Sequence, residues 1–259
     1  MRCWYIGSKR DGIDTPSARY TIVDAGHLRL ITTGPHAAQS GVDLRQPDQL
    51  TFWYTKQLAD VVAQAPGRAN ILVLGGGTFT LPRYLAHKYP DSTIDVVEID
   101  PELARIAREH FFYDDPANVN LVFADARTYV NETRERYDVV IVDVYGDTHV
   151  PFTLLTREYG ERVAALTKPR GIVAANLIAG PKGPCGELLG ALSAPYAAHF
   201  ANGLYRMEKP DRERSNLVAT YSREPFAWPA ALPLGERLKA LPYTDNYAPA
   251  ERLQQDCRS

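Results

Sequence analysis

Apolar and polar positions alternate with a period of two from Tyr20 to Leu30: Tyr20 and Ile22, the turn-like Asp24-Ala25-Gly26, then Leu28 and Leu30. That spacing around a glycine-bearing turn predicts a β-hairpin. The stretch "GPHAAQSGVDLRQPDQ" reads as a loop with room for one short strand. Leu50, Tyr54, Leu58, Val61 and Val62 then recur at helical spacing until Pro66-Gly67 stops them. From Asn70 the rhythm changes. "ILVL", "TIDVVEI", "VNLVFA", "YDVVIVDV" and "GIVAANL" are short, unbroken apolar runs. Such runs suit strands covered on both faces of a parallel sheet. Helical stretches are predicted between them at Leu81–Lys88, Pro101–His110, Ala126–Arg134 and Leu154–Leu166. Strand alternating with helix means βαβ units and a doubly wound α/β sheet. A β-rich piece of about 65 residues precedes it, which divides the chain into 1–66 and 67–259. After Gly180 the pattern weakens. "GPKGPCGELLGALSAPYAAHF" reads as a glycine- and proline-punctuated loop feeding a helix, "SNLVATYS" as a late strand, and the tail as turn-rich. Gly180 to Pro195 could serve as a mobile lid or as a plain connection.

Composition narrows what such a fold could serve. The chain has 259 residues, with 29 basic and 31 acidic side chains and a net charge of −2. That balance offers no electrostatic footprint for nucleic acid or an anionic membrane. No apolar run reaches the roughly 18–20 residues of a transmembrane helix. "MRCWYIGSKRDG" lacks the apolar core of a signal peptide. Cys3, Cys185 and Cys257 are few, odd in number and far apart. They suggest neither a disulfide framework nor a zinc site, and the scattered histidines suggest no metal. A reducing cytoplasm is the expected setting.

The chemistry concentrates at the strand ends. "ILVLGGGTFTLP" sets Gly75, Gly76 and Gly77 between a strand and a helix. Glycines there let backbone approach a ligand closely, although a plain tight turn uses them too. Glu98 ends the next strand some twenty residues on, where a carboxylate can accept from a ribose diol. Asp100, before Pro101, suits a helix N-cap instead. Asp125 and Ala126, at the end of the third strand, lie where an adenine amino group would arrive; Asp125 suits an N-cap as well. The third glycine of the dinucleotide fingerprint is replaced by Thr80, which disfavours an NAD-dependent oxidoreductase; Asp125 instead suits an adenosyl group carried by a sulfonium.

The order of these motifs resembles the spermidine synthase family of aminopropyltransferases. The resemblance runs through "LVLGGGTFTLPRYL", "VVEIDPELARIAREHF", "DARTYV" and "YDVVIVDVYGD", with "HLRLITTGPHAAQS" and "FWYTKQL" ahead of them. It implies a SAM-methyltransferase-type Rossmann domain behind a small N-terminal β-domain. It implies that Gln39 contacts the nucleoside, Glu98 holds the ribose, Asp125 meets the adenine and Tyr54 lines the substrate side. Asp143 would take a proton from an attacking amine. Tyr145, Asp147 and His149, in the loop after Asp143, are further substrate candidates. The resemblance also implies a homodimer through the N-terminal β-domain, where Trp4, Tyr5 and Ile6 offer apolar surface.

Four departures alter the acceptor half. The family's aspartate after the three glycines is Thr78 here, which cannot hold the free amine of decarboxylated S-adenosylmethionine (decarboxylated SAM). The same change removes a carboxylate that would repel the carboxylate of intact SAM. Tyr-His-Glu reads Tyr54-Thr55-Lys56. Asp-Ser-Ser-Asp reads Asp143-Val144-Tyr145-Gly146, unless Asp147 supplies the second acid one step later. Asp-Gly-Gly reads Thr78-Phe79-Thr80. Three activities follow: aminopropyl transfer from decarboxylated SAM to an amine, methyl transfer from SAM to a small nucleophile, or silent nucleoside binding.

Overall fold

The computed structural model describes residues 9–14, 19–33, 38–145, 149–235, 242–245 and 254–257. The first sheet is an antiparallel meander of β1 (Lys9–Asp14), β2 (Arg19–Ala25), β3 (Leu28–Thr32) and β4 (Ser40–Asp43). The expected hairpin is β2–β3, in which Ala25 pairs with Leu28 across Gly26 at φ +65°. A glycine accepts that left-handed turn at no steric cost. The helix α1 (Trp53–Val62) follows.

Next come β5 (Asn70–Leu74), α2 (Thr80–Lys88), β6 (Thr93–Glu98), α3 (Pro101–His110), β7 (Val119–Phe123), α4 (Ala126–Glu132) and β8 (Tyr137–Val142). The chain continues with α5 (Arg157–Leu166), β9 (Thr167–Ala179), α6 (Gly183–Ala197), β10 (Asn202–Met207), β11 (Ser215–Ser222) and β12 (Leu232–Pro233). Among the described residues the second sheet runs β12-β10-β11-β9-β8-β5-β6-β7. Strands β9, β8, β5, β6 and β7 are parallel, and β11, β10 and β12 add antiparallel pairs at one side. The order reverses between β5 and β8, the switch point where such sheets open a crevice at the strands' carboxyl ends.

The unbroken apolar runs are explained by two cores. Ile71, Val73, Ile94, Val96, Val139 and Ile141 face one side, with α1, α2, α3 and residues of the first sheet such as Tyr20, Ile31 and Val42. Leu72, Leu74, Val97, Val140 and Val142 face the other, with α4, α5 and α6. Successive side chains on a strand point to opposite faces, so a strand covered on both must be apolar at every position.

Three expectations differ from the structure. The helix expected over Leu154–Leu166 splits into a 3₁₀ turn, Phe152–Leu154, and α5, which Thr156 caps by accepting from Tyr159 N at 3.3 Å. The segment after Gly180 is mostly the buried helix α6 rather than a lid. It packs closely on α5: a Cβ at Gly160 of α5 would lie 1.8 Å from the Pro195 carbonyl oxygen of α6. Pro184 occupies the first turn, where its missing N–H is no loss. Finally, Cys185 and Cys257 form a disulfide across 72 residues, with Cα atoms 4.7 Å apart. Sequence distance hid that contact, because α6 and the tail meet only in the folded chain.

Candidate functional site

Backbone contacts build the crevice at the switch point. Gly75 N donates to Val97 O at 2.8 Å, and Asp143 N donates to Leu74 O at 2.9 Å, which locks the ends of β6, β5 and β8 together. Gly75 has φ +94°, and a Cβ there would lie 2.3 Å from the Asp143 carbonyl oxygen. A Cβ on Gly76 would lie 2.7 Å from the buried ring of Phe79. The first two glycines are therefore demanded by the protein's own packing. Gly77, at φ +54°, meets only Ser40, at ordinary distance. Bulky Phe79 does not fill the crevice; its ring turns into the core, 5.0 Å from that of Tyr113.

Glu98 is the centre of this half. Its Oε2 accepts from Gly76 N at 2.8 Å and Gly77 N at 3.3 Å, while Oε1 accepts from Asp100 N at 3.0 Å. A carboxylate has about four acceptor positions. Three backbone donors leave room for one ribose hydroxyl, so gripping both requires Gly77, the longest contact, to yield. The donor chemistry fits a ribose on those terms. Asp100 caps α3, accepting from Glu102 N at 3.0 Å, and also takes the Tyr20 hydroxyl at 3.1 Å. Asp125 is exposed and caps α4, accepting from Thr128 N at 2.9 Å; Ala126, the first residue of α4, is buried. Ile99 follows Glu98 and is 63% exposed, an apolar surface at the crevice that pattern reading passed over. Thr78 follows the three glycines. It is fully buried, its hydroxyl 2.5 Å from Ser40 Oγ of β4.

The other half gathers around Asp143. The strand β8 delivers it to the crevice, part-exposed there and otherwise enclosed by protein. Asn176 of β9 donates to its Oδ1 at 2.8 Å, and Asn216 of β11 donates to Asn176 Oδ1 at 3.3 Å. Burial pushes the Asp143 carboxyl up to about 6; the Asn176 hydrogen bond pulls it back and the Glu98 charge adds to the rise. The Tyr145 hydroxyl donates to Asn176 O at 3.1 Å, and the Tyr54 hydroxyl donates to Gln39 O at 3.4 Å. Burial first, and then the Asp143 charge, raises both phenols above their usual range. Gln39, Tyr54, Tyr145 and Asp143 thus meet around one end of the crevice, although the Gln39 side chain donates to Thr33 Oγ1 at 2.9 Å. Asp147 and Gly146 lie outside the described residues, as do Trp4, Tyr5 and Ile6. Lys56 is exposed and lines a surface hollow with Gln46, Gln49, Asp60 and Tyr84, while Thr55 bonds back to Phe52 O at 2.8 Å. Neither departure in α1 places a charge beside Asp143. Asn176 and Asn216 were missed in the sequence; an amide inside an apolar strand was the available signal. Among the described residues no cluster of His, Cys, Asp and Glu suits a metal, and no helix is long and apolar enough to cross a membrane.

Known proteins resemble this chain in sequence and fold. A model of the spermine/spermidine synthase domain matches residues 51–177. A polyamine aminopropyltransferase of Vibrio vulnificus is 27% identical over 176 residues, which is 67% of this chain and 57% of that protein. A solved structure of a probable spermidine synthase from Corynebacterium glutamicum superposes with a TM-score of 0.72 at 26% identity, covering 85% of this chain and 82% of that one. The chain resembles the spermidine synthase family in sequence over residues 51–177 and in fold. An N-terminal histidine N-methyltransferase of Emericella nidulans is also related, 34% identical over 125 residues, 46% of this chain and 22% of that protein. The chain spans less than two thirds of the length of these curated relatives. The segment that the domain model matches holds Glu98, Asp125, Asp143 and the glycine loop; Gln39 lies ahead of it, and Asn216 beyond it.

Proposed function

We propose that this chain moves an aminopropyl group from decarboxylated SAM to a small amine, with residues 1–66 as its N-terminal β-domain and 67–259 as its catalytic domain. In this reading Gln39, Gly75 to Gly77, Glu98, Asp125 and Ala126 receive the nucleoside, Ile99 offers its apolar side to the base, and Tyr54, Tyr145 and Asp147 border the acceptor. The amine nitrogen attacks the carbon next to the sulfonium. A C–N bond forms, the C–S bond breaks, the neutral thioether leaves with the bonding pair, and Asp143 accepts the proton released from nitrogen. Positioning two bound reactants supplies most of the acceleration for such a displacement.

The observation that carries the proposal is Asp143: an enclosed carboxylate, oriented by Asn176, with its affinity for protons raised towards neutrality. A base works best when its pKa lies near the working pH. The test is Asp143→Asn, assayed for thioether release with decarboxylated SAM and 1,4-diaminobutane, alongside donor binding by calorimetry. Lost turnover with retained donor binding supports the assignment; full turnover in the variant sinks it.

Buried Thr78 favours a second reading, methyl transfer from intact SAM. No carboxylate stands after the glycines to receive the donor's amine, and the Thr78 hydroxyl is engaged by Ser40. Comparing the affinities of SAM and decarboxylated SAM for one preparation separates the two. A homodimer and a cytoplasmic setting belong to the same proposal. In a cytoplasm, the Cys185–Cys257 bridge would have to be reversible.

A further inference from the structure

The disulfide sits where the catalytic sheet meets the C-terminal segment. Cys185 and Cys257 are 5% and 7% exposed. Cys185 lies in the first turn of α6, beside the elbow that ends β9: Gly180 N donates to Cys185 O at 3.4 Å. Cys257 closes a single helical turn that begins at Gln254. The Gln254 amide is 8% exposed and grips both backbone groups of Val150, with Oε1 accepting from Val150 N at 3.2 Å and Nε2 donating to Val150 O at 3.3 Å. Val150 belongs to the connection between β8 and α5, the same connection that begins with Asp143 and Tyr145.

A second anchor for the tail contains no sulfur. Arg157 N donates to Tyr243 O at 2.8 Å, and Asp245 accepts from Thr156 Oγ1 at 2.6 Å and from Arg127 at 2.7 Å. The tail is thus docked at Tyr243–Asp245 by hydrogen bonds and at Cys257 by a covalent bond. One helical turn is far too short to hold its shape alone. The grip of Gln254 on Val150 therefore depends on the sulfur anchor three residues away.

We propose that Cys185 and Cys257 form a reversible thiol–disulfide modification site that sets how firmly the connection after β8 is clamped. A dithiol reductant supplies the electrons. Its thiolate attacks one sulfur, the S–S bond breaks, and the other cysteine leaves as thiolate. The reductant's second thiol then closes on the mixed disulfide, so two electrons pass to the protein, two cysteine thiols form, and the reductant departs as a disulfide. Burial of both sulfurs makes the exchange wait for the tail to lift. That this connection borders the acceptor rests on the function proposed above; the clamp itself does not.

The test is hydrogen–deuterium exchange on the full chain, purified without reductant and then treated with dithiothreitol. Cysteines are counted by intact mass after alkylation in denaturant. The oxidised chain is expected to take one label, on Cys3, and the reduced chain three. Reduction should speed exchange over residues 144–151 roughly tenfold or more and leave Gly75 to Thr80 unchanged, since local opening is set by local contacts. Gln254→Ala should give the same local acceleration with the bridge intact, and Cys257→Ser should match the reduced chain and ignore dithiothreitol. Three labels without reductant, unchanged exchange over 144–151 on reduction, or an even acceleration throughout the chain each overturn the proposal. None of these readouts needs turnover, so a failure of the proposed function shows separately.

Discussion

At the ends of β5 and β6 the polar atoms are backbone amides gathered on one carboxylate, Glu98. At the ends of β8, β9 and β11 they are side chains gathered around another, Asp143. The first cluster lies within one strand–helix–strand stretch, and its geometry is set by the turn itself. The second links residues 33 and 40 positions apart, so each contact depends on strand order. The contrast teaches that the half nearest in sequence is held by its own backbone amides, whereas the distant half holds the group whose protonation is tuned. Damage to the first should appear in donor binding, and damage to the second in turnover and its pH dependence.

The largest expected effect is in the second half. Asp143→Asn should lower kcat by about 10²–10⁴-fold, the usual share of a general base. Donor affinity, measured by calorimetry, should stay within about twofold. A comparable fall in donor affinity would break the division of labour.

Glu98→Gln comes next. A glutamine oxygen cannot replace a carboxylate that accepts from three N–H groups, and bonds to charged groups contribute about 1.5–3 kcal/mol. Donor affinity should fall roughly 10- to 100-fold, with a lowered melting temperature. An unchanged donor affinity would remove Glu98 from the nucleoside site.

Asn176→Ala probes the tuning itself. Asp143 must be ionised to accept a proton, so the wild-type rate should be low below pH 6 and climb through about 6. Asn176 donates to the carboxylate and favours its charged form. Removing that donor raises the Asp143 pKa further, and the acid limb of the kcat profile should move about half a unit to one unit upwards. A limb that stays put, or moves down, would make Asn176 a packing residue only.

The smallest effect is expected at Thr78. Thr78→Val leaves Ser40 Oγ without that partner and should cost about 1 kcal/mol, or about 2–4 °C in melting temperature for a chain this long. Turnover and donor preference should not change. A changed donor preference would return Thr78 to the ligand's side.

Much of this molecule was legible along the chain. The inner strands β5 and β8 were evident because burial on both faces demands nearly unbroken apolar runs, and the edge strand β7 was legible from its shorter apolar run. Glu98, Asp100 and Asp125 were legible because strand ends and helix caps have local signatures. The glycine loop was legible as a turn, but its cause was not. Gly75 answers to the Asp143 carbonyl and Gly76 to the Phe79 ring, and neither neighbour can be inferred from the loop. The same limit explains α6: its glycines and prolines read as breaks, although Pro195 lies inside the helix and packs against Gly160 of α5.

Local rules thus determined, from sequence alone, the α/β class, the doubly wound order of elements and the acid at the end of β6. These depend on periodicity and on neighbours within a few residues. Only the tertiary structure decided that Thr78 is buried against Ser40, that Asn176 and Asn216 stand behind Asp143, and that Cys185 meets Cys257. Each of those is a meeting of segments far apart in the chain. Such meetings are set by strand order and helix packing, which no local pattern encodes.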